Sequence, residues 1–157
     1  VAEDKTKIIK FGRYAEEDCK ERGCKPDTFD FLGFTHYCSK DRLGKTYRVK
    51  RRTSKKKFRK KVKDFKMWLK SVKDKSNIHI IFEKSKQKLS GHYRYYGITD
   101  NAKAVWRYHG TIVKTLYKWL NRRSQRKSFG WENFNKYLKL NPLPKPKIYV
   151  SIYSKSV

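Results

Sequence analysis

One stretch of the chain, beginning near Thr53, repeats apolar residues at spacings of four and three, the period of an α-helix with a single buried face. The apolar positions are Phe58, Val62, Phe65, Leu69 and Val72. The other positions are crowded with cations, namely Lys55, Lys56, Lys57, Arg59, Lys60, Lys61, Lys63 and Lys66. Such a helix must cover its apolar stripe with other elements, so the stretch predicts a helical bundle with a basic outer surface. Thr53 or Ser54 is the expected N-cap.

Three further helices are predicted after this one. The second is expected over residues 80–96, ending at Gly97, and the third after a cap at Thr99 or Asp100. The last should span residues 131–140. Their apolar faces consist of Val105, Tyr108, Ile112, Leu116, Trp119 and Leu120 in the third helix and of Trp131, Phe134 and Leu138 in the last.

The N-terminal third of the chain instead favours strands. Residues 7–11 form a short apolar run. Residues 28–37 form an aromatic run in which both alternating sets carry apolar residues, Phe29 and Phe31 in one and Leu32 and Phe34 in the other, so one long strand covered on both faces is expected. Residues 15–26 are charged and predict a loop. Residues 39–51 predict a hairpin. The expected fold is therefore α+β, with short antiparallel strands and a hairpin followed by a mainly α-helical bundle.

Net charge indicates the class of partner. The chain carries 42 Lys and Arg against 14 Asp and Glu, a formal charge of +28. Such self-repulsion opposes a compact state unless a polyanion neutralises it, and nucleic acid is the obvious polyanion. Aromatic residues make up 15% of the chain and hydrophobic residues 37%, which favours a folded protein over a disordered basic tail. No apolar run approaches the roughly 20 residues that span a bilayer, so no membrane partner is expected.

Cysteine and histidine spacing gives little support for a metal site. The three cysteines, Cys19, Cys24 and Cys38, are an odd number without a disulfide framework, which is typical of a reducing compartment. With His36 they could offer four soft ligands, but the spacing matches no established zinc pattern. The densest acidic cluster is Glu16, Glu17 and Asp18, interpreted as a solvated helix turn. No metal is assigned to this chain.

Catalytic patterns are absent from the sequence. The chain has no phosphate-binding G-x-x-x-x-G-K-[ST] loop, no G-x-S-x-G nucleophile turn, no H-E-x-x-H helix and no adjacent carboxylate pair on an apolar strand. The free-standing chain is accordingly expected to bind rather than to catalyse.

Residues 89–101 interleave aromatic and cationic side chains in the manner of a nucleic-acid clamp, in which charge holds phosphate and flat rings hold bases. The candidate binding residues in this segment are His92, Tyr93, Arg94, Tyr95 and Tyr96. A second interpretation remains open: the tyrosines could be core residues of a helix that ends at Gly97.

Two basic clusters are candidate phosphate-binding surfaces. The first cluster, on the first helix, consists of Lys56, Lys60 and Lys63, although runs of charge often form only a solvated face. The second cluster, beyond the third helix, consists of Arg122, Arg123, Arg126 and Lys127, which could equally offset the dipole at a helix C-terminus.

Taken in order, several motifs resemble one family, the reverse transcriptases, or maturases, encoded by bacterial group II introns. Residues 4–12 (DKTKIIKFG) resemble the strand after the catalytic palm motif, and residues 28–36 (TFDFLGFTH) the last palm strand. The segments GHYRYYG (91–97), WLNRRSQ (119–125), WENF (131–134) and PLPKPK (142–147) are similar to the thumb, or X domain, and the adjoining basic DNA-binding segment. The resemblance covers essentially the whole chain.

The resemblance implies C-terminal palm strands over residues 1–52, a helical thumb over 53–120 and a basic DNA-binding-like segment over 121–157. It also implies a primer grip at Phe31, Leu32, Gly33 and Phe34. A lone Gly33 in a strand would agree with close approach of a ligand. The fingers and the Mg-binding palm segment are missing, so the parent protein, an RNA-directed DNA polymerase, is expected to carry Mg outside this chain. The chain opens with Val1 and is interpreted as a piece of a longer protein.

The partners implied are group II intron RNA, a template–primer RNA/DNA duplex and the missing finger and palm segment, all in the bacterial cytoplasm. The thumb would grip nucleic acid to support splicing and reverse transcription. Two alternatives stay open: a stand-alone, non-enzymatic RNA-binding protein, and the thumb of a retron or CRISPR-associated reverse transcriptase.

Overall fold

A computed structural model describes residues 8–9, 11–21, 23–41, 43–122 and 130–153. Over this part of the chain a three-stranded antiparallel sheet is followed by a helical bundle, which confirms the predicted α+β class. The chain divides into two compact units, Val1–Ser54 and Lys55–Val157. The division expected near residue 52 lies two residues from this boundary, whereas the one expected after residue 120 falls inside the second unit.

The first unit contains helix α1 (Ala15–Glu21) and strands β1 (Phe29–Phe31), β2 (Phe34–Lys40) and β3 (Tyr47–Thr53), paired in the order β1-β2-β3. The first half of the loop expected over residues 15–26 is instead helix α1, which agrees with the helix turn expected at Glu16, Glu17 and Asp18. Residues 7–11 were expected in a strand, but their described members Ile8, Ile9 and Phe11 lie outside any strand.

The single long strand predicted over residues 28–37 was also wrong. The chain reverses at Leu32 and Gly33, whose φ angles are 47° and 85°, and Phe31 pairs directly with Phe34. Positive φ at both residues of a two-residue loop is the geometry that matches the twist of a hairpin. The segment is therefore not covered on both faces, since Phe31 is 59% exposed and Leu32 is 68% exposed. The turn was not predicted because Leu-Gly lacks the Asn-Gly signature that usually marks such a hairpin.

The second unit consists of α2 (Lys55–Val72), α3 (Ile78–Tyr96), α4 (Ala102–Leu120) and α5 (Trp131–Leu140). These four bounds agree with the predicted helices to within two residues. The apolar stripe of α2 is confirmed, since Val62, Phe65 and Leu69 are buried. The fully buried centre of the bundle includes Ile81, Phe82, Leu89, Tyr93, Ile112, Leu116 and Phe134.

The cap predicted for α4 was wrong, because Asn101 rather than Thr99 or Asp100 precedes its first turn. Asp100 has a φ of 71°, in the left-handed region, so it belongs to the turn and not to the helix start. Asn101 is 1% exposed, and its side-chain amide donates to the carbonyl of Tyr96 at 2.8 Å. This bond joins the end of α3 to the start of α4.

A strap formed by residues 147–153 returns to the corner between α3 and α4. The amide of Tyr149 donates to the carbonyl of Gly97 at 2.6 Å, and the amide of Thr99 donates to the carbonyl of Val150 at 3.0 Å. A Cβ at Gly97 would lie 2.5 Å from the carbonyl oxygen of Lys147, so glycine is needed for this close approach. The strap explains why the segment after residue 120 belongs to the helical unit.

Candidate nucleic-acid interface

Charge is distributed very unevenly between the two units. The second unit, Lys55–Val157, has 28 Lys and Arg against five Asp and Glu, a formal charge of +23. The first unit has 14 against nine, a formal charge of +5. Most of the field that would attract a polyanion therefore originates from the helical unit.

The lysine row, defined here as Lys56, Lys60 and Lys63, lies on the face of α2 opposite its buried stripe. All three side chains are exposed. Lys60 forms an ion pair with Asp64 at 3.2 Å, but both partners are exposed, so the pair is weak and water or phosphate can replace it. The 18-residue helix carrying the row is about 27 Å long.

Two aromatic rings of α2 form cation–π contacts with basic side chains of the neighbouring helices. The guanidinium carbon of Arg107 in α4 lies 5.2 Å from the centre of the Phe58 ring, and Nζ of Lys88 in α3 lies 4.8 Å from the centre of the Trp68 ring. Cation–π contacts fix the long side chains without removing their charge. The basic surface thus extends from α2 onto both of its neighbours.

The segment of residues 92–96 divides between core and surface. His92, Tyr93 and Tyr96 are buried, with exposed fractions of 7%, 0% and 3%, because they continue the inward face of α3. Tyr95 is 54% exposed and Arg94 is also exposed. The core interpretation therefore describes His92, Tyr93 and Tyr96, and contact with nucleic acid remains available to Arg94 and Tyr95.

His92 is an uncharged core residue. Its ring stacks on Tyr108 with centroids 3.6 Å apart and planes at 16°, and also contacts Tyr96 at 4.6 Å. Neither ring nitrogen has a hydrogen-bond partner among the described residues. Burial, with a smaller contribution from the charge of Lys61, lowers the pKa of His92 to about 4. A neutral, buried imidazole cannot neutralise a phosphate.

A hydrogen bond links α3 to α4 beside this stack. The hydroxyl of Tyr93 lies 2.7 Å from Nδ1 of His109. Burial raises the pKa of the Tyr93 hydroxyl and lowers the pKa of His109, so the pair stays uncharged at neutral pH. In the same core, burial raises the pKa of Tyr108 to about 12.

The C-terminal basic cluster is only partly described. Arg122 is exposed just beyond the end of α4, with its guanidinium carbon 5.7 Å from the centre of the Trp119 ring. Arg123, Arg126 and Lys127 lie outside the described residues. Arg122 sits where it could contact phosphate or offset the helix dipole, so both interpretations stand.

The residues predicted as a primer grip form the tip of the β1–β2 hairpin. Phe31 and Leu32 are exposed, Phe34 is half-buried, and the carbonyl of Gly33 accepts a hydrogen bond from the amide of Ser54 at 2.9 Å. The turn itself accounts for glycine at position 33, which requires no close ligand. An exposed apolar tip nevertheless offers a surface to a partner.

Sequence patterns did not single out Trp106, which is 53% exposed on α4. Its position one residue after Val105 places it outside the stripe Val105, Tyr108 and Ile112. A tryptophan on the polar side of an amphipathic helix was the signal available in the sequence.

Metal-ligating side chains are dispersed. Across the described ranges, no three His, Cys, Asp or Glu side chains converge as metal ligands. Cys38 is buried and accepts a hydrogen bond from the amide of Gly12 at 3.4 Å, while a hydrogen bond with Cys24 raises the pKa of the Cys19 thiol. Within those same ranges no helix combines the length and apolar character needed to cross a membrane.

Comparison with known proteins adds no relative: no family model, curated protein or solved structure matches this chain.

Proposed function

We propose that this chain is the nucleic-acid-binding, thumb-like portion of a bacterial group II intron reverse transcriptase. The observation that carries its binding role is the +23 charge of the helical unit together with the exposed lysine row of α2. The family assignment rests on the order of the six motifs found in the sequence. In this proposal the unit grips intron RNA and the template–primer duplex in the bacterial cytoplasm, and Mg and its carboxylates belong to the missing palm.

The charge distribution favours binding to a phosphate backbone over binding to a protein. Release of counterions from nucleic acid gives affinity without complementarity of shape, and it needs only cations spaced along an exposed surface. The exposed lysine row provides such a surface. Phosphate contacts of this kind position the protein but do not read sequence.

Salt dependence tests the proposal. If the surface neutralises about 6 phosphates, log K should fall against log salt with a slope of roughly −4 to −5 for structured RNA. Replacing Lys56, Lys60 and Lys63 together by Gln should weaken binding to all RNAs alike and make that slope shallower by up to ~3. Filter binding at several salt concentrations measures both quantities.

A variant with matched charge shows whether binding depends on the lysine row itself or only on the net charge of the unit. Lys136, Lys139 and Lys145 are also exposed in the helical unit, so their replacement by Gln removes the same charge elsewhere. We expect this control to retain most of the affinity. Equal losses in the two variants would mean that charge acts without a defined face, and a wild-type slope near zero would refute the electrostatic proposal.

A further inference from the structure

Trp106 presents an open aromatic face on α4. The side chain is 53% exposed, and its ring contacts His109 edge-on with centroids 6.0 Å apart. Exposed lysines, Lys103 and Lys114, lie on the same side of the helix, three residues before and eight residues after the tryptophan. The ring therefore lies in a basic environment without being part of the core.

Gly110, one turn after Trp106, keeps this face uncovered. Side chains on a helix lean toward its N-terminus, so the side chain of residue 110 would lie over Trp106. A Cβ at Gly110 would meet no atom within 4 Å, so close packing does not require glycine there. Glycine inside a helix costs about 1 kcal/mol relative to alanine, and neither packing nor a positive φ explains it here.

His109 supplies a hydrogen-bonding group beside the ring. The Tyr93 hydroxyl and Nδ1 of His109 form a hydrogen bond of 2.7 Å, whose direction depends on the tautomer of His109. In a neutral imidazole, Nε2 donates in one tautomer and accepts in the other. His109 is half-buried and its Nδ1 is engaged by Tyr93, so Nε2 is the ring nitrogen that is left for a ligand.

We propose that Trp106 is a stacking platform for an unpaired nucleobase, with Nε2 of His109 as a hydrogen-bonding partner for a polar group on the edge of that base. The proposal rests on the proposed nucleic-acid function and adds a contact with single-stranded RNA to the phosphate contacts of the lysine row. A flat ring, an adjacent imidazole nitrogen and cations for the flanking phosphates together match a nucleotide better than an apolar protein surface. Tyr93 acts as a positioning residue because its hydrogen bond to Nδ1 orients the ring of His109.

Binding of a short unstructured RNA of about 12 nucleotides, compared with a fully paired RNA of the same charge, tests the proposal. Trp106→Ala should weaken binding of the unpaired RNA by about 5- to 150-fold, the loss of one stacked base, with the salt slope unchanged. Binding of the paired RNA should change less than about twofold. Trp106→Phe should restore part of the affinity, and His109→Phe should weaken binding of the unpaired RNA while leaving the ring of Trp106 in place.

Substitution of Gly110 separates a binding role from a structural one. Gly110→Leu should cover the ring and weaken binding of the unpaired RNA as Trp106→Ala does. It should nevertheless raise the melting temperature of the protein, because Leu has a higher helix propensity than Gly. Gly110→Ala should raise the melting temperature and leave binding nearly unchanged, because a methyl group is too small to cover the indole.

The outcomes distinguish this proposal from the one on which it rests. If Trp106→Ala and Gly110→Leu bind the unpaired RNA as the wild type does, the stacking platform is refuted, while loss of binding in the lysine-row variant still supports the general function. Equal weakening of paired and unpaired RNA also overturns the platform. If the wild type binds neither RNA, both proposals fail.

Discussion

Replacing His92 by Phe tests whether this residue belongs to the core or to a binding site. Phe keeps the planar ring that stacks on Tyr108 at 3.6 Å and removes two buried nitrogens that lack partners among the described residues. An unsatisfied buried polar group costs about 1–3 kcal/mol, so the variant should be as stable as the wild type at neutral pH or more stable by roughly 1 kcal/mol.

The same substitution should change the dependence of stability on pH. The folded-state pKa of His92 is about 4, below the ordinary value of 6.5, so between these values the unfolded chain binds a proton that the folded chain excludes. Stability is therefore full above pH 6.5 and is lost as the pH falls toward 4. By linkage, this one group removes ~2 kcal/mol of stability between pH 7.5 and 4.5, and His92→Phe should abolish that loss.

Urea unfolding at intervals between these pH values measures the effect. Subtracting the curve of the variant from that of the wild type cancels the other histidines, and His79→Gln, an exposed substitution on the same helix, is the control. RNA affinity should be unchanged in the His92 variant. A variant with the pH dependence of the wild type, or one that stays folded but binds RNA more weakly, would refute the assignment of His92 to the core.

Two further predictions concern the backbone. Gly97→Ala should destabilise the protein by roughly 2–4 kcal/mol in urea unfolding, because its Cβ would lie 2.5 Å from the carbonyl oxygen of Lys147 and displace the strap. Gly110→Ala is the matched control and should not destabilise the protein, because the space around its Cβ is open. Leu32→Asn should stabilise the hairpin by about 0.5–1 kcal/mol in thermal unfolding, since Asn tolerates the positive φ at this position and Asn-Gly suits the turn; a less stable variant would show that Leu32 makes contacts which outweigh its backbone strain.

The sequence by itself determined the helical half of this protein. Spacings of three and four residues identify a helix wherever one face is buried, so the stripe of Val62, Phe65 and Leu69 predicted α2 before any packing was known. Net charge likewise required no structure, since it depends on composition alone. Both properties are local or additive, which is why they can be read along the chain.

Tertiary structure decided the conformation of those segments whose sequence pattern was ambiguous. The apolar residues scattered over both alternating sets of 28–37 fit either a covered strand or a tight hairpin, and only the pairing of Phe31 with Phe34 places the turn at Leu32 and Gly33. Similarly, the composition of residues 92–96 does not determine which rings face inward. The packing of α3 against α4 buries Tyr93 and leaves Tyr95 exposed, because both residues are tyrosines and only the position of the neighbouring helix decides which ring faces inward.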